Sequence, residues 1–125
     1  TATTQIYTLS LHDALPISNS GLPAGINWSR KTDTLIESET ASVLSDMMHN
    51  NVIETYGEYN FPDLDICAKS GTAEVGGGNS PNAWFTGFLR DEKNPYAFIV
   101  LVENGGSGAN VAGSVANQVL QELVN

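Results

Sequence analysis

Three apolar runs in the second half of the chain, LDICAKSGTAEV (Leu64 to Val75), AWFTGFLR (Ala83 to Arg90) and YAFIVLVEN (Tyr96 to Asn104), have the length and composition of β-strands. They are separated by GGGNSPN and DEKNP, both hairpin-like connections, so the expectation is a three-stranded antiparallel meander. Gly76, Gly77 and Gly78 are read as shaping the first of these turns rather than cradling a phosphate, because no helix N-terminus follows them.

Helical patterns flank the meander. Upstream, Ser38 is placed to cap a helix whose apolar positions Ala41, Leu44, Met47 and Met48 recur at the three-to-four spacing of one buried face. The helix is expected to run to about Asn50 or Val52, with the two methionines filling core space and His49 on the surface near its C-terminal end. Downstream, NVAGSVANQVLQELV puts Val111, Val115 and Val119 on one stripe beside Ala112, Ala116, Leu120 and Leu123, an apolar surface suited to lie on the sheet. The fold class is therefore α+β: a helix, a three-stranded antiparallel meander and a C-terminal helix packed on it.

Composition limits the functions such a domain can carry. Five basic residues against fourteen acidic ones give a formal charge of −9, which repels phosphate backbones and anionic lipid, so nucleic acid is not expected as a partner. The longest apolar run, Tyr96 to Val102, falls far short of the roughly 20 residues of a membrane-spanning helix. Cys67 is the single cysteine, which excludes an internal disulfide and a cysteine-based zinc site and reads as a small buried apolar residue. Neither a metal nor a cofactor is expected.

One motif carries chemistry. KSGT, Lys69 to Thr72, joins a lysine to a hydroxyl residue and a glycine within the first strand. In its setting, CAKSGTAEVGGG followed by NAWFTGF and VLVENGG, the stretch from about Ser38 to Asn125 resembles the C-terminal part of the penicillin-binding protein transpeptidase domain, in particular the class B type of the penicillin-recognising serine enzymes. The resemblance implies a partial transpeptidase (β-lactamase-like) fold. It also implies acyl transfer from a stem peptide ending in D-Ala-D-Ala to a serine and then to an amine, the cross-linking step of peptidoglycan synthesis.

By that resemblance Lys69 and Thr72 are catalytic and Ser70, Gly71 and Thr72 bind substrate. Lys69 would supply positive potential and hydrogen-bond donors to the neighbouring serine loop. Thr72 would help to hold the substrate carboxylate and give its backbone N–H to the oxyanion hole. Gly71 would let an extended peptide lie against the strand and pair with it. Trp84 and Phe85 are expected to pack in the core rather than stack on a ligand. Nothing in the spacing brings Glu74 and Glu103 together as an acid–base pair.

The family's other two signatures, a Ser-x-x-Lys bearing the nucleophile and a Ser-x-Asn loop, should both precede the lysine motif. No Ser-x-x-Lys occurs, and Ser80-Pro81-Asn82 follows KSGT in a hairpin connection, where the family's loop does not lie. Without the serine there is no acyl-enzyme, so the chain alone is expected to be inactive. In an intact parent the resemblance implies an extracytoplasmic, membrane-anchored enzyme that binds stem peptides and β-lactam antibiotics. A noncatalytic penicillin-recognising sensor or scaffold domain is the alternative of a different class, and a serine β-lactamase shares the motif.

Ser10, His12 and Asp13 near the N-terminus contain the three side chains of a hydrolase triad. The surrounding stretch has neither a helical period nor a strand alternation, and TATTQIYTLSLHDALPI, residues 1–17, resembles the translation of a common short-read sequencing adapter, departing from it at Gln5 alone. Residues 1–17 are accordingly set apart as adapter-derived and residues 18–125 as the transpeptidase fragment, opening on the turn-rich connector SNSGLPAG, Ser18 to Gly25.

Overall fold

The structure, a computed structural model, describes residues 34–125. The expectations for residues 1–17 and for the Ser18–Gly25 connector lie outside the described residues. Glu39–Asn125 forms one compact unit, which holds the sheet and everything described below apart from the first residue of helix α1.

Helix α1 spans Ser38–Asn51 and runs into a π-helical turn, Val52–Tyr56, followed by a short 3-10 turn, Glu58–Asn60. Strands β1 (Ile66–Ala73), β2 (Asn82–Leu89) and β3 (Ala97–Val102) form an antiparallel sheet in the order β1-β2-β3, the meander expected from the hairpin spacing. A second π-helical turn, Gly108–Ala112, leads into α2, Gly113–Val124. No helix among the described residues is long and apolar enough to cross a membrane.

The turns end the strands for local reasons. Gly76, Gly77 and Gly78 all have positive φ, at 71°, 64° and 75°, a region that L side chains avoid, so the glycine run bends the chain as its sequence suggests. At the far end of the sheet, Asn82 Oδ1 accepts from the Asn104 N–H at 2.9 Å and Pro81 O from the Gly106 N–H at 2.8 Å. Ser80-Pro81-Asn82 thus ties the start of β2 to the chain leaving β3.

Strand alternation sorts side chains between two faces. Ile66 and Ala68 of β1 and Ala83, Phe85 and Leu89 of β2 share one face and are buried with Ala112, Ala116 and Leu120 of the C-terminal segment and Val52, Phe61 and Leu64. Phe85 is fully buried at the centre, stacked on Phe61 (centroids 5.6 Å apart, rings 3° from parallel) and met edge-on by Tyr56 at 5.4 Å. Burying a side chain of this size contributes about 2–3 kcal/mol. Trp84 points to the opposite face and is half-buried, so the expected core pair separates: Phe85 is core and Trp84 is not.

Two expected helix faces need correction. At the C-terminal end the expected Ala112, Ala116 and Leu120 are buried, joined by Gly113 at the start of α2, and Val111 is partly buried against the core, while Val115, Val119 and Leu123 are 40%, 51% and 50% exposed. Small residues win because the helix comes close over the Phe85 ring: a β-carbon added at Gly113 would lie 3.5 Å from it. On α1, Leu44 and Met47 are exposed, and the partly covered stripe is Ala41, Ser45, Met48 and His49, leading to buried Val52. Half of that stripe is polar: Ser45 meets the Cys67 thiol, and His49 reaches the Ile66 carbonyl at the edge of β1.

Candidate active site

The KSGT motif lies on β1, paired residue by residue with β2: Lys69 with Thr86, Ser70 with Phe85, Gly71 with Trp84, Thr72 with Ala83. Adjacent residues alternate in face, so the Lys69 side chain points to one side of the sheet, the side on which Gly71 leaves the strand bare, and the side chains of Ser70 and Thr72 point to the other. What the four share is the outer edge of the strand.

The main-chain pattern identifies which groups face that edge. Asp65 O accepts from the Arg90 N–H at 2.9 Å, so odd-numbered residues of β1 turn their main-chain groups to β2. Even-numbered residues turn theirs outward, where side chains from the α1 segment meet them. His49 Nδ1 lies 3.1 Å from Ile66 O, and Asn51 Nδ2 donates to Ala68 O at 3.1 Å. Tyr56 Oη accepts from the Ser70 N–H at 2.7 Å and donates to Ser70 Oγ at 3.0 Å. Lys69 Nζ reaches along the strand and donates to Ser70 O at 2.7 Å. The edge is thus occupied from Ile66 through Ser70. The next outward residue is Thr72, and among the described residues nothing hydrogen-bonds its N–H or C=O.

Burial and charge follow from this geometry. Lys69 and Thr72 are exposed, while Ser70 and Gly71 are half-buried. Partial burial raises the Tyr56 pKa, but the Ser70 hydroxyl and N–H, assisted by Asn51 and the positive charge of Lys69, outweigh it and leave the phenol below its ordinary value. Gly71 faces Trp84, whose Cβ would lie 3.3 Å from an added β-carbon. Gly108 sits against the same place from the C-terminal segment, and a methyl there would overlap the carbonyl oxygens of Gly71 and Trp84. Glycine at 108 lets the π-helical turn press directly on the motif.

His49 is therefore a tether between α1 and β1 rather than a plain surface residue; it also lies 3.5 Å from Asp65 Oδ1, which accepts from Arg90 Nε at 2.9 Å. Cys67 is buried as expected, against Ser45, and burial pushes its thiol pKa up. Glu74 and Glu103 are exposed. Among the described residues no cluster of His, Cys, Asp and Glu is arranged to hold a metal ion. Asn51 and Tyr56 escape sequence reasoning, because they stand 17 and 14 residues from the groups they bind.

A helix, an antiparallel sheet whose edge strand carries Lys-Ser-Gly-Thr, and a closing helix define a portion of a penicillin-recognising fold, and the comparisons with known proteins agree. The family model described as the penicillin binding protein transpeptidase domain matches residues 25–124, and the chain belongs to that family. Comparison with curated sequences returns no match.

Solved structures similar to the chain include penicillin-binding protein A from Mycobacterium tuberculosis as its imipenem acyl-enzyme complex, with 23% identity over 86% of this chain and 24% of that one and a TM-score of 0.65. The D,D-transpeptidase domain of a peptidoglycan glycosyltransferase from Eggerthella lenta matches at 24% identity over 82% of this chain and 24% of that one, with a TM-score of 0.63. Penicillin-binding protein PBP2 of Helicobacter pylori, solved in complex with MreC, matches at 26% identity over 78% of this chain and 20% of that one, with a TM-score of 0.61. The chain spans about a quarter or less of the length of these proteins.

Proposed function

We propose that residues 18–125 are the C-terminal fragment of a peptidoglycan D,D-transpeptidase that cross-links cell-wall stem peptides by serine acyl transfer, and that residues 1–17 are adapter-derived. The observation that carries the functional reading is the edge of β1, closed by side chains up to Ser70 and open at Thr72. A stem peptide ending in D-Ala-D-Ala would lie antiparallel to this edge as an added strand. The Thr72 C=O would accept from its amide, and the Thr72 N–H would stabilise the oxyanion of the tetrahedral intermediate. The Ser70 and Thr72 hydroxyls would hold the terminal carboxylate, while Lys69 supplies positive potential and the bare Gly71 gives the peptide access. β-Lactams would use the same edge.

The full reaction needs a serine nucleophile and its lysine, and the 125 residues contain no Ser-x-x-Lys. The chain alone is therefore inactive on this reading, and the complete enzyme is extracytoplasmic and membrane-anchored. Fluorescent penicillin tests it in two arms. The chain as it stands should give no labelled band after denaturing electrophoresis, and such a band would overturn its inactivity. Residues 18–125 joined behind the Ser-x-x-Lys and Ser-x-Asn portion of a penicillin-binding protein should be labelled, and Lys69→Ala should abolish the label. Labelling that survives Lys69→Ala would overturn the site assignment.

The partition at residue 17 draws support from the near-complete agreement of residues 1–17 with the adapter translation and from a family match that begins downstream, at residue 25. Reads of the source DNA that run unbroken across codon 17 into genomic sequence on both sides would refute it.

A further inference from the structure

Three side chains from the α1 segment meet the outer edge of β1, and they do not make the same bonds. His49 and Asn51 reach main-chain carbonyls alone, those of Ile66 and Ala68. Tyr56 takes the next outward position and bonds a side chain of the motif as well, the Ser70 hydroxyl.

The directions of its two bonds matter more than their number. Tyr56 Oη accepts from the Ser70 N–H at 2.7 Å, and the phenol proton goes to Ser70 Oγ at 3.0 Å. A serine hydroxyl carries one proton and can accept as well as donate. With Oγ acting as the acceptor toward the phenol, the Ser70 proton is not used in that bond and points away from it. Phenol and serine then form the first two links of a chain that ends on whatever accepts from the serine, and such chains strengthen each link by polarisation.

The phenol is held in place for this. Its ring is half-buried and meets the fully buried Phe85 edge-on at 5.4 Å. Tyr56 closes the π-helical turn that begins at buried Val52, and the next residue, Gly57, reverses the chain at φ 82°, a conformation that favours glycine.

We propose that Tyr56 is a positioning residue of the transpeptidase site: by donating to Ser70 Oγ it sets that serine as a hydrogen-bond donor to the terminal carboxylate of the substrate. This role rests on the reading of β1 as the substrate edge and deepens it. Tyr56 itself touches no substrate. A carboxylate only accepts, so it requires Ser70 as donor. Without the phenol the serine hydroxyl turns freely, and the carboxylate loses an oriented donor. The effect is confined to ligands that carry the carboxylate.

The test uses residues 18–125 joined behind the Ser-x-x-Lys and Ser-x-Asn portion of a penicillin-binding protein, with two probes: fluorescent penicillin and the same molecule with its carboxylate esterified. Tyr56→Phe should slow labelling by the acid about three- to ten-fold, the worth of one net hydrogen bond, and leave labelling by the ester within about two-fold. Ser70→Ala should lower the ratio of acid to ester rates in the same way. Adding Tyr56→Phe to Ser70→Ala should not lower that ratio further, because the two residues act through one bond. Tyr59→Phe, the same deletion on a ring that is 83% exposed, should change neither rate.

Equal effects of Tyr56→Phe on both probes, including none, overturn the positioning role and leave the transpeptidase reading in place, as does a further fall of the ratio in the Ser70→Ala background. A joined wild type whose label does not depend on Lys69 overturns that reading, and the inference with it. Magnetic resonance of the 125-residue chain needs no variant: a slowly exchanging Tyr56 hydroxyl proton should show an Overhauser contact to the Ser70 β-protons. A phenol that instead accepts from the Ser70 hydroxyl overturns the proposal.

Discussion

The phenol of Tyr56 holds Ser70 twice, accepting from its N–H at 2.7 Å and donating to its Oγ at 3.0 Å. One side chain, delivered by the π-helical turn after α1, thereby sets both the main-chain and side-chain positions of the second residue of the Lys-Ser-Gly-Thr motif. Its consequences can be measured without substrate.

Tyr56→Phe removes both bonds while keeping the ring against Phe85, so it should cost about 1–2 kcal/mol in urea unfolding. The phenol's folded pKa lies below its ordinary value. The sign follows: the stabilisation from its ionised form is complete above the unfolded value of about 10 and is lost as pH falls through the folded pKa. The stability gap between wild type and Tyr56→Phe should therefore widen as pH rises through that window. Absorbance titration at alkaline pH should show one tyrosine ionising early and should lose that component in the variant. A wild-type titration with no early component would refute the contact.

Gly108→Ala should destabilise the domain by more than the gain of about 0.4–1 kcal/mol that removing a glycine gives where it fits without strain. Its methyl meets the Gly71 and Trp84 carbonyl oxygens, two main-chain atoms that cannot turn aside. The amide resonances that shift most should be those of Gly71 and Thr72. A neutral or stabilising Gly108→Ala would contradict this packing.

Cys67 should resist thiol reagents in the folded chain and react on unfolding, because it is fully buried. Burial also raises its pKa. A raised acid pKa contributes stability that is present below the unfolded thiol value of about 8.5 and lost as pH rises through the folded one. Unfolding of the wild type should accordingly become easier across that alkaline range relative to Cys67→Ala. An identical pH dependence of the two proteins would refute the shift.

The exposed side of α1 and the turn that continues its covered side should respond differently to truncation. Leu44→Ala, at an exposed position, should stay within about 0.5 kcal/mol of wild type. Val52→Ala, at a position 1% exposed, should cost about 2 kcal/mol. Asn51→Ala, which leaves Ala68 O without its donor, should cost about 1 kcal/mol. Chemical unfolding measures all three, and equal costs for Leu44→Ala and Val52→Ala would restore the face read from apolar spacing.

Much of this architecture can be read along the chain. The strand runs with their glycine- and proline-bearing connections fall within two residues of β1, β2 and β3, because pleat alternation and turn chemistry are properties of consecutive residues. KSGT is likewise a local signal, placed on β1 as its flanking alternation requires. Apolar periodicity located both helices and included Ala112, Ala116 and Leu120, which make the contact, but it also drew in Val115, Val119 and Leu123, which stay exposed, and passed over Gly113. A period shows that a helix has an apolar side; how near its partner stands decides whether large or small residues fill the gap.

The α+β order of elements, the antiparallel meander and the strand that bears the motif are legible in runs of consecutive residues. That the Ser70 main chain is occupied while the Thr72 main chain stays open at the edge emerges only on folding. That outcome depends on Lys69 folding along the strand and on His49, Asn51 and Tyr56 reaching β1 from 14 to 17 residues away. Hydrogen bonds across such separations form once the chain brings a strand edge and a helix end together, and no run of neighbouring residues records them.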